Sequence, residues 1–288
     1  MRIFERAYAK INLYLDVTGR RPDGFHTLRS VMQTVGLSDS VAVDVMPARE
    51  PSVTLTVRGR YRVPVGEGNL AHRAATLYMR EAAMPFRVHI TIDKRIPVAA
   101  GLGGGSADAA AVLRALNRAS YNRLGEGRLA ELSAALGSDV PFCLFGHTRL
   151  CEGRGEVMRA LPAPPPLHLV IAPSGERVST PSAFAALDDL YNGFSDGREH
   201  GDLLGFLDAL SQKNTDILTT KLYNIFEGAV LPDCPEAQKR KQHLASLGAL
   251  GTLMSGSGPT VFGIFPTEAA AREAAAALGD GAVATATV

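Results

Sequence analysis

Cysteine is scarce in this chain. Cys143, Cys151 and Cys234 are the only ones in 288 residues, and no CxxC pair exists. Their odd number and scatter exclude a disulfide framework or a cysteine-built zinc site, and predict buried thiols of a reducing, cytoplasmic compartment. Histidine is no better organised: the seven copies form no HExxH or similar helix-spaced pair, which argues against a dedicated transition-metal site. Excess charge is missing too. With a formal net charge of +1, nothing in the balance calls for a nucleic-acid or membrane partner. No apolar run approaches the roughly 18 residues of a membrane span, and Met1 to Arg6 lack the basic-then-apolar layout of a signal peptide. What is present is an ordinary globular composition, long enough for one large domain or two of middling size.

Hydrophobic periodicity organises the chain. In "KINLYLDVT", residues 10–18, Ile11, Leu13, Leu15 and Val17 alternate with Lys10, Asn12, Tyr14 and Asp16, which predicts a half-buried strand. Residues 40–45, 52–57 and 87–93 predict further strands. A helix follows Asn69, with Leu70, Ala74, Leu77 and Tyr78 on one face; a second carries Ala109, Val112, Leu113 and Leu116; a third ends at Gly137. The prolines of "LPAPPPLHLV" stiffen an extended connection and predict a domain boundary near residue 160, giving domains 1–160 and 161–288. Beyond it the order is strand (167–172), helices, strand (250–254), strand (260–265), helix (267–278) and strand (282–288). That order resembles a split β-α-β, ferredoxin-like layout with extra helices, so the fold class is α+β.

Glycine is concentrated at one place. Pro97, Val98, Ala99 and Ala100 lead into Gly101, Leu102, Gly103, Gly104 and Gly105, and Ser106 and Ala107 open a helix. Four glycines within five residues incur a large backbone entropy cost, so bare backbone must be needed there. Helix N-termini leave N–H groups unpaired and carry partial positive charge, and preceding glycines let an anion approach them closely. The stretch therefore reads as a phosphate cradle, with Ser106 as helix cap or as hydroxyl donor to a phosphate or its metal. The P-loop lysine is absent, and Ser106 stands where a dinucleotide fingerprint needs its third glycine. Tight packing of loop on helix is the alternative. Asp108, in the first helical turn, is an awkward neighbour for an anion and must point away or help hold a cation.

Three stretches, "AYAKINLYLDVTGRRPDGFHTL", "PVAAGLGGGSADAA" and "LMSGSGPTVFGIF", resemble in order and spacing the motifs of the GHMP kinases. The resemblance implies a two-domain α+β fold: an N-terminal α/β domain like domain 2 of ribosomal protein S5, and a ferredoxin-like C-terminal domain. It implies ATP and Mg2+ as cofactors, with Pro97 to Ala107 around the phosphates and Asn69 and Lys94 near the adenine. Asp139 would accept the proton of the substrate hydroxyl, and Lys10 would keep that carboxylate ionised and steady the transferring phosphoryl group. Without the resemblance, Asp139 reads as a cap or turn residue and Lys10 as a strand-end charge; a helix cap and a surface charge explain Asn69 and Lys94 nearly as well.

The first stretch is most similar to family members acting on a small-molecule substrate, cytidine diphosphate-linked methylerythritol. There Phe25, where tyrosine is usual, would stack on the cytosine, and His26 would read its polar edge. Phe184 would cover the opposite face behind a Thr180 cap, or else be a core residue of its helix. Asn12, Thr180, Gly256 and Ser257 complete the implied substrate site. A monomer or weak homodimer is expected on the same grounds. A kinase for another small alcohol, or a catalytically silent sensor of the same fold, is the alternative function.

Overall fold

The computed structural model describes residues 1–194 and 198–288. It divides into two compact units. Unit 1 comprises Met1–Lys10, Leu37–Val98 and Gly103–Gly146; unit 2 comprises Ile11–Gly36, Ala99–Leu102 and His147–Val288. No single cut at residue 160 separates them. The reason is two very long strands, β1 (Arg2–Arg20) and β2 (His26–Pro47), each of which contributes residues to both units.

The rest of unit 1 is β3 (Ser52–Gly59), α1 (Leu70–Glu81), β4 (Phe86–Lys94), α2 (Gly104–Ala119), α3 (Glu126–Leu136) and α4 (Val140–Phe145). Strand β4 pairs antiparallel with β2, Val43 opposite Ile90, and parallel with β3, Val57 opposite Ile92. Its inward face is Phe86, Val88, Ile90, Ile92 and, by the same period of two, Lys94. Alanine, the strongest helix former, dominates α2. Its small side chains matter as much as its propensity: Ala109, Ala110 and Ala111 are fully buried, as are Ala71, Ala74 and Ala75 of α1, in one core with the β4 face.

Unit 2 continues with β5 (Thr148–Gly153), β6 (Val157–Ala160), β7 (His168–Ala172), α5 (Thr180–Leu190), α6 (Leu203–Ser211), α7 (Thr215–Thr220), β8 (Tyr223–Asn224), α8 (Phe226–Val230), α9 (Pro235–Ser246), β9 (Gly251–Met254), β10 (Val261–Phe265), α10 (Glu268–Leu278) and β11 (Val283–Ala286). Four of these strands form an antiparallel sheet in the order β11-β7-β10-β9. With helices between β7 and β9 and α10 between β10 and β11, this is the ferredoxin-like order expected from the sequence. Every residue of β10 is buried, which matches its unbroken apolar run VFGIF.

One expectation fails. The stretch 10–18 is not half-buried: Lys10, Asn12, Tyr14 and Asp16 are as deeply enclosed as the apolar residues between them. Their polar atoms find partners instead of water. Asn12 Nδ2 donates to Ser30 Oγ at 2.7 Å, and Asp16 Oδ2 accepts the amides of His200 and Gly201. Among the described residues no helix is long and apolar enough to cross a membrane.

Candidate active site

In unit 1, Lys10 Nζ lies 3.6 Å from Asp139 Oδ2. Lys10 is only 4% exposed, whereas the Asp139 side chain is one-third exposed, so the acid is the open member of the pair. Asp139 does occupy the cap position of α4, but its side chain makes no capping bond and its carboxylate is left for Lys10. Gly103 is the N-cap of α2, at φ +68°, and a methyl there would press to 3.0 Å from Lys10 Cγ. Bare backbone is thus needed where the lysine stem passes. Cys143, half-buried beside them, has its thiol raised by burial and then by the Asp139 charge, against the pull of Lys10. It stays a neutral thiol and supplies no nucleophile.

No side chain caps the N-terminus of α2. Ser106, expected as a cap, is the third residue of the helix, and Gly103 takes that place because its left-handed backbone suits glycine. The first amides of this sixteen-residue helix have no side-chain acceptor, and Gly105 among them is exposed. At Gly104 a methyl would be 2.9 Å from Ile96 Cγ2, so close packing contributes as well. Asp108 points inward and does hold a cation. Its Oδ2 accepts from Lys94 Nζ at 2.7 Å, and Asp39 Oδ2 accepts from the same ammonium. Asp39 Oδ1 takes the amides of Arg95 and Ile96. Lys94 is 2% exposed, which removes the surface-charge alternative, and its ammonium is committed to two carboxylates. Burial opposes its charge, but Asp108 and Asp39 outweigh that and raise it. Asn69 accepts from the Ala71 amide and donates to the Pro64 carbonyl, so its amide serves as the cap of α1.

In unit 2, Ala99 to Leu102 meet the third motif. Ser255 Oγ donates to the Gly101 carbonyl at 3.0 Å. Gly101 has φ +73°, and a methyl on it would collide with the Ser255 carbonyl oxygen. Leu102 is buried, whereas Val98 of unit 1 and Ala99 are exposed. Thr180 and Ser257 are brought together, hydroxyl to hydroxyl, at 3.1 Å. The cap of α5 is Ser179, which accepts from the Ser182 amide, and Thr180 is the first helical residue. Gly256 offers its carbonyl to Asn224 Nδ2. Phe25 is half-exposed, with the Arg154 guanidinium 3.8 Å from its ring centroid. Phe184 stacks on His26, with centroids 4.6 Å apart and planes at 20°, and meets Phe226 edge-on. His26 Nε2 is 2.7 Å from Asp188 Oδ1. Sequence reasoning missed Ser255, Arg154 and Asp188, whose partners are distant in the chain; only Ser255, inside a quoted motif, carried any signal.

The mixed helix-and-strand fold with its ferredoxin-like sheet agrees with the comparisons. Residues 69–147 match the family description "GHMP kinases N terminal domain" and residues 193–283 match "GHMP kinases C terminal". The chain belongs to the GHMP kinase family. It is 42% identical, over 93% of its length and 90% of the relative's, to a 4-diphosphocytidyl-2-C-methyl-D-erythritol kinase from Bacillus subtilis (strain 168). A crystal structure of 4-(cytidine 5'-diphospho)-2C-methyl-D-erythritol kinase matches with a TM-score of 0.82 at 35% identity, covering 99% of both chains. Mevalonate kinase from L. major matches with a TM-score of 0.76 at 14% identity, which is a likeness of fold.

Proposed function

We infer that this chain is an ATP-dependent kinase that phosphorylates the 2-hydroxyl of 4-diphosphocytidyl-2-C-methyl-D-erythritol, in the non-mevalonate route to isoprenoid precursors. The observation that carries the reading is the Lys10–Asp139 pair beside the Gly103 cap of α2, in a chain 42% identical to a kinase of that name.

Asp139 orients the substrate hydroxyl and takes its proton as the oxygen forms its bond to the γ-phosphorus. The bond from that phosphorus to the β,γ-bridging oxygen breaks, and ADP leaves with the electron pair. Lys10 keeps Asp139 ionised and offsets charge on the transferring group. The amides at the start of α2 hold the phosphates, with the Ser106 hydroxyl beside them. Mg2+, beside which the Ser106 hydroxyl would sit, would supply further charge neutralisation.

Phe25 stacks on the cytosine and His26 faces its polar edge. The exposed half of Phe25 and the fixed ring of His26 support this. The three free thiols suit a reducing cytoplasm. Incubation with ATP, Mg2+ and the cytidine substrate, with 31P NMR of the product, tests the reading. A new phosphomonoester on the 2-oxygen is expected; a phosphate on any other oxygen would refute the assignment.

A further inference from the structure

The contact between His26 and Asp188 bears on base selection, an inference that rests on the reading of His26 as the residue facing the base. Asp188 lies near the end of α5, and its Oδ1 is 2.7 Å from His26 Nε2. A carboxylate only accepts, so Nε2 carries the hydrogen. In neutral imidazole the other nitrogen, Nδ1, is then a bare acceptor. Nδ1 has no hydrogen-bond partner among the described residues. Phe184 stacked on the ring and Phe194 edge-on at 5.7 Å hold its plane. The second carboxylate oxygen of Asp188 faces Arg20 Nη1 at 3.5 Å, which fixes the acid in turn.

We propose that Asp188 is a positioning residue that sets base specificity: by holding His26 with Nδ1 as an acceptor, it selects a pyrimidine bearing an exocyclic amino group and rejects one bearing a carbonyl there. Cytosine meets Nδ1 with an N–H. Uracil meets it with an oxygen lone pair, two acceptors face each other, and neither has a proton to share. A buried polar group left unpaired in this way discriminates far more strongly than a change of shape. Asp188 acts through His26 and does not itself contact the base.

The full chain labelled with 15N-histidine provides the first test. At about pH 8.5, above the ordinary imidazole range, the His26 resonances, assigned by their loss in His26→Gln, should show the Nε2–H tautomer. Steady-state rates give the second. The kcat/KM for the cytidine substrate should exceed that for its uridine counterpart by at least about 100-fold. Asp188→Asn keeps the size and a hydrogen bond, but its amide can accept from Nε2–H or donate to a bare Nε2. The ratio should then fall to about tenfold or less, with Tm and kcat on the cytidine substrate near wild type.

An Nδ1–H tautomer in the wild type, or an Asp188→Asn variant that keeps the full ratio, overturns the proposal. His26→Gln with an unchanged KM for the cytidine substrate overturns the reading of His26 and the proposal with it. That outcome is distinguishable, because the tautomer would still be as described.

Discussion

The ammonium of Lys10 faces the carboxylate of Asp139 across 3.6 Å, the amine enclosed and the acid partly open. A strand delivers the one and a short helix the other, and the α2 cap, Gly103, lies against the lysine stem. Asp139→Asn keeps the shape and removes the base. Turnover should fall by about 10²–10⁴-fold, the usual worth of a positioned general base. Nucleotide binding measured by calorimetry should be retained. Equal turnover would remove Asp139 from its role.

Gly101→Ala tests the bare backbone. The substitution forces a side chain into a left-handed conformation and against the Ser255 carbonyl. The strain should cost roughly 1–3 kcal/mol of stability, seen as a lower urea midpoint, and KM for ATP should rise more than KM for the alcohol.

Phe25→Ala removes one face of the proposed base stack. At about 1–3 kcal/mol per stack, KM for the cytidine substrate should rise roughly 5- to 150-fold with kcat little changed. An unaltered KM would favour a different alcohol as substrate.

The buried cluster beneath α2 makes stability depend on pH. Burial raises the Asp108 carboxyl to about 7, with Lys94 opposing the shift and Asp39 adding to it. The folded chain therefore holds a proton that the unfolded chain has released above about pH 4. Stability from this group is fully present below that pH, declines as pH rises through about 7, and then levels off. Asp108→Asn should flatten that decline in urea titrations across this range. Lys94→Met leaves two acids buried without their cation and should cost about 3–5 kcal/mol.

The ferredoxin-like order was legible because its strands and helices alternate with clear periods and turn signals between them. The polar face of β1 was not. Period two marks Lys10, Asn12 and Asp16 as one face, but nothing local says that the amides of His200 and Gly201 will cover Asp16. Lys94 is the instructive case. It continues the inward alternation of β4, and only a tertiary partner such as Asp39 lets a lysine occupy that place. The glycine loop and the acid–amine pair were found through motifs. His26 and Asp188, 162 residues apart, could be joined only by the fold.

The most direct test of the account is ADP release with four alcohols presented separately: 4-diphosphocytidyl-2-C-methyl-D-erythritol, mevalonate, homoserine and galactose. Rapid, Asp139-dependent release with the cytidine substrate alone is the predicted result. Release with one of the other three and none with the cytidine substrate would contradict it.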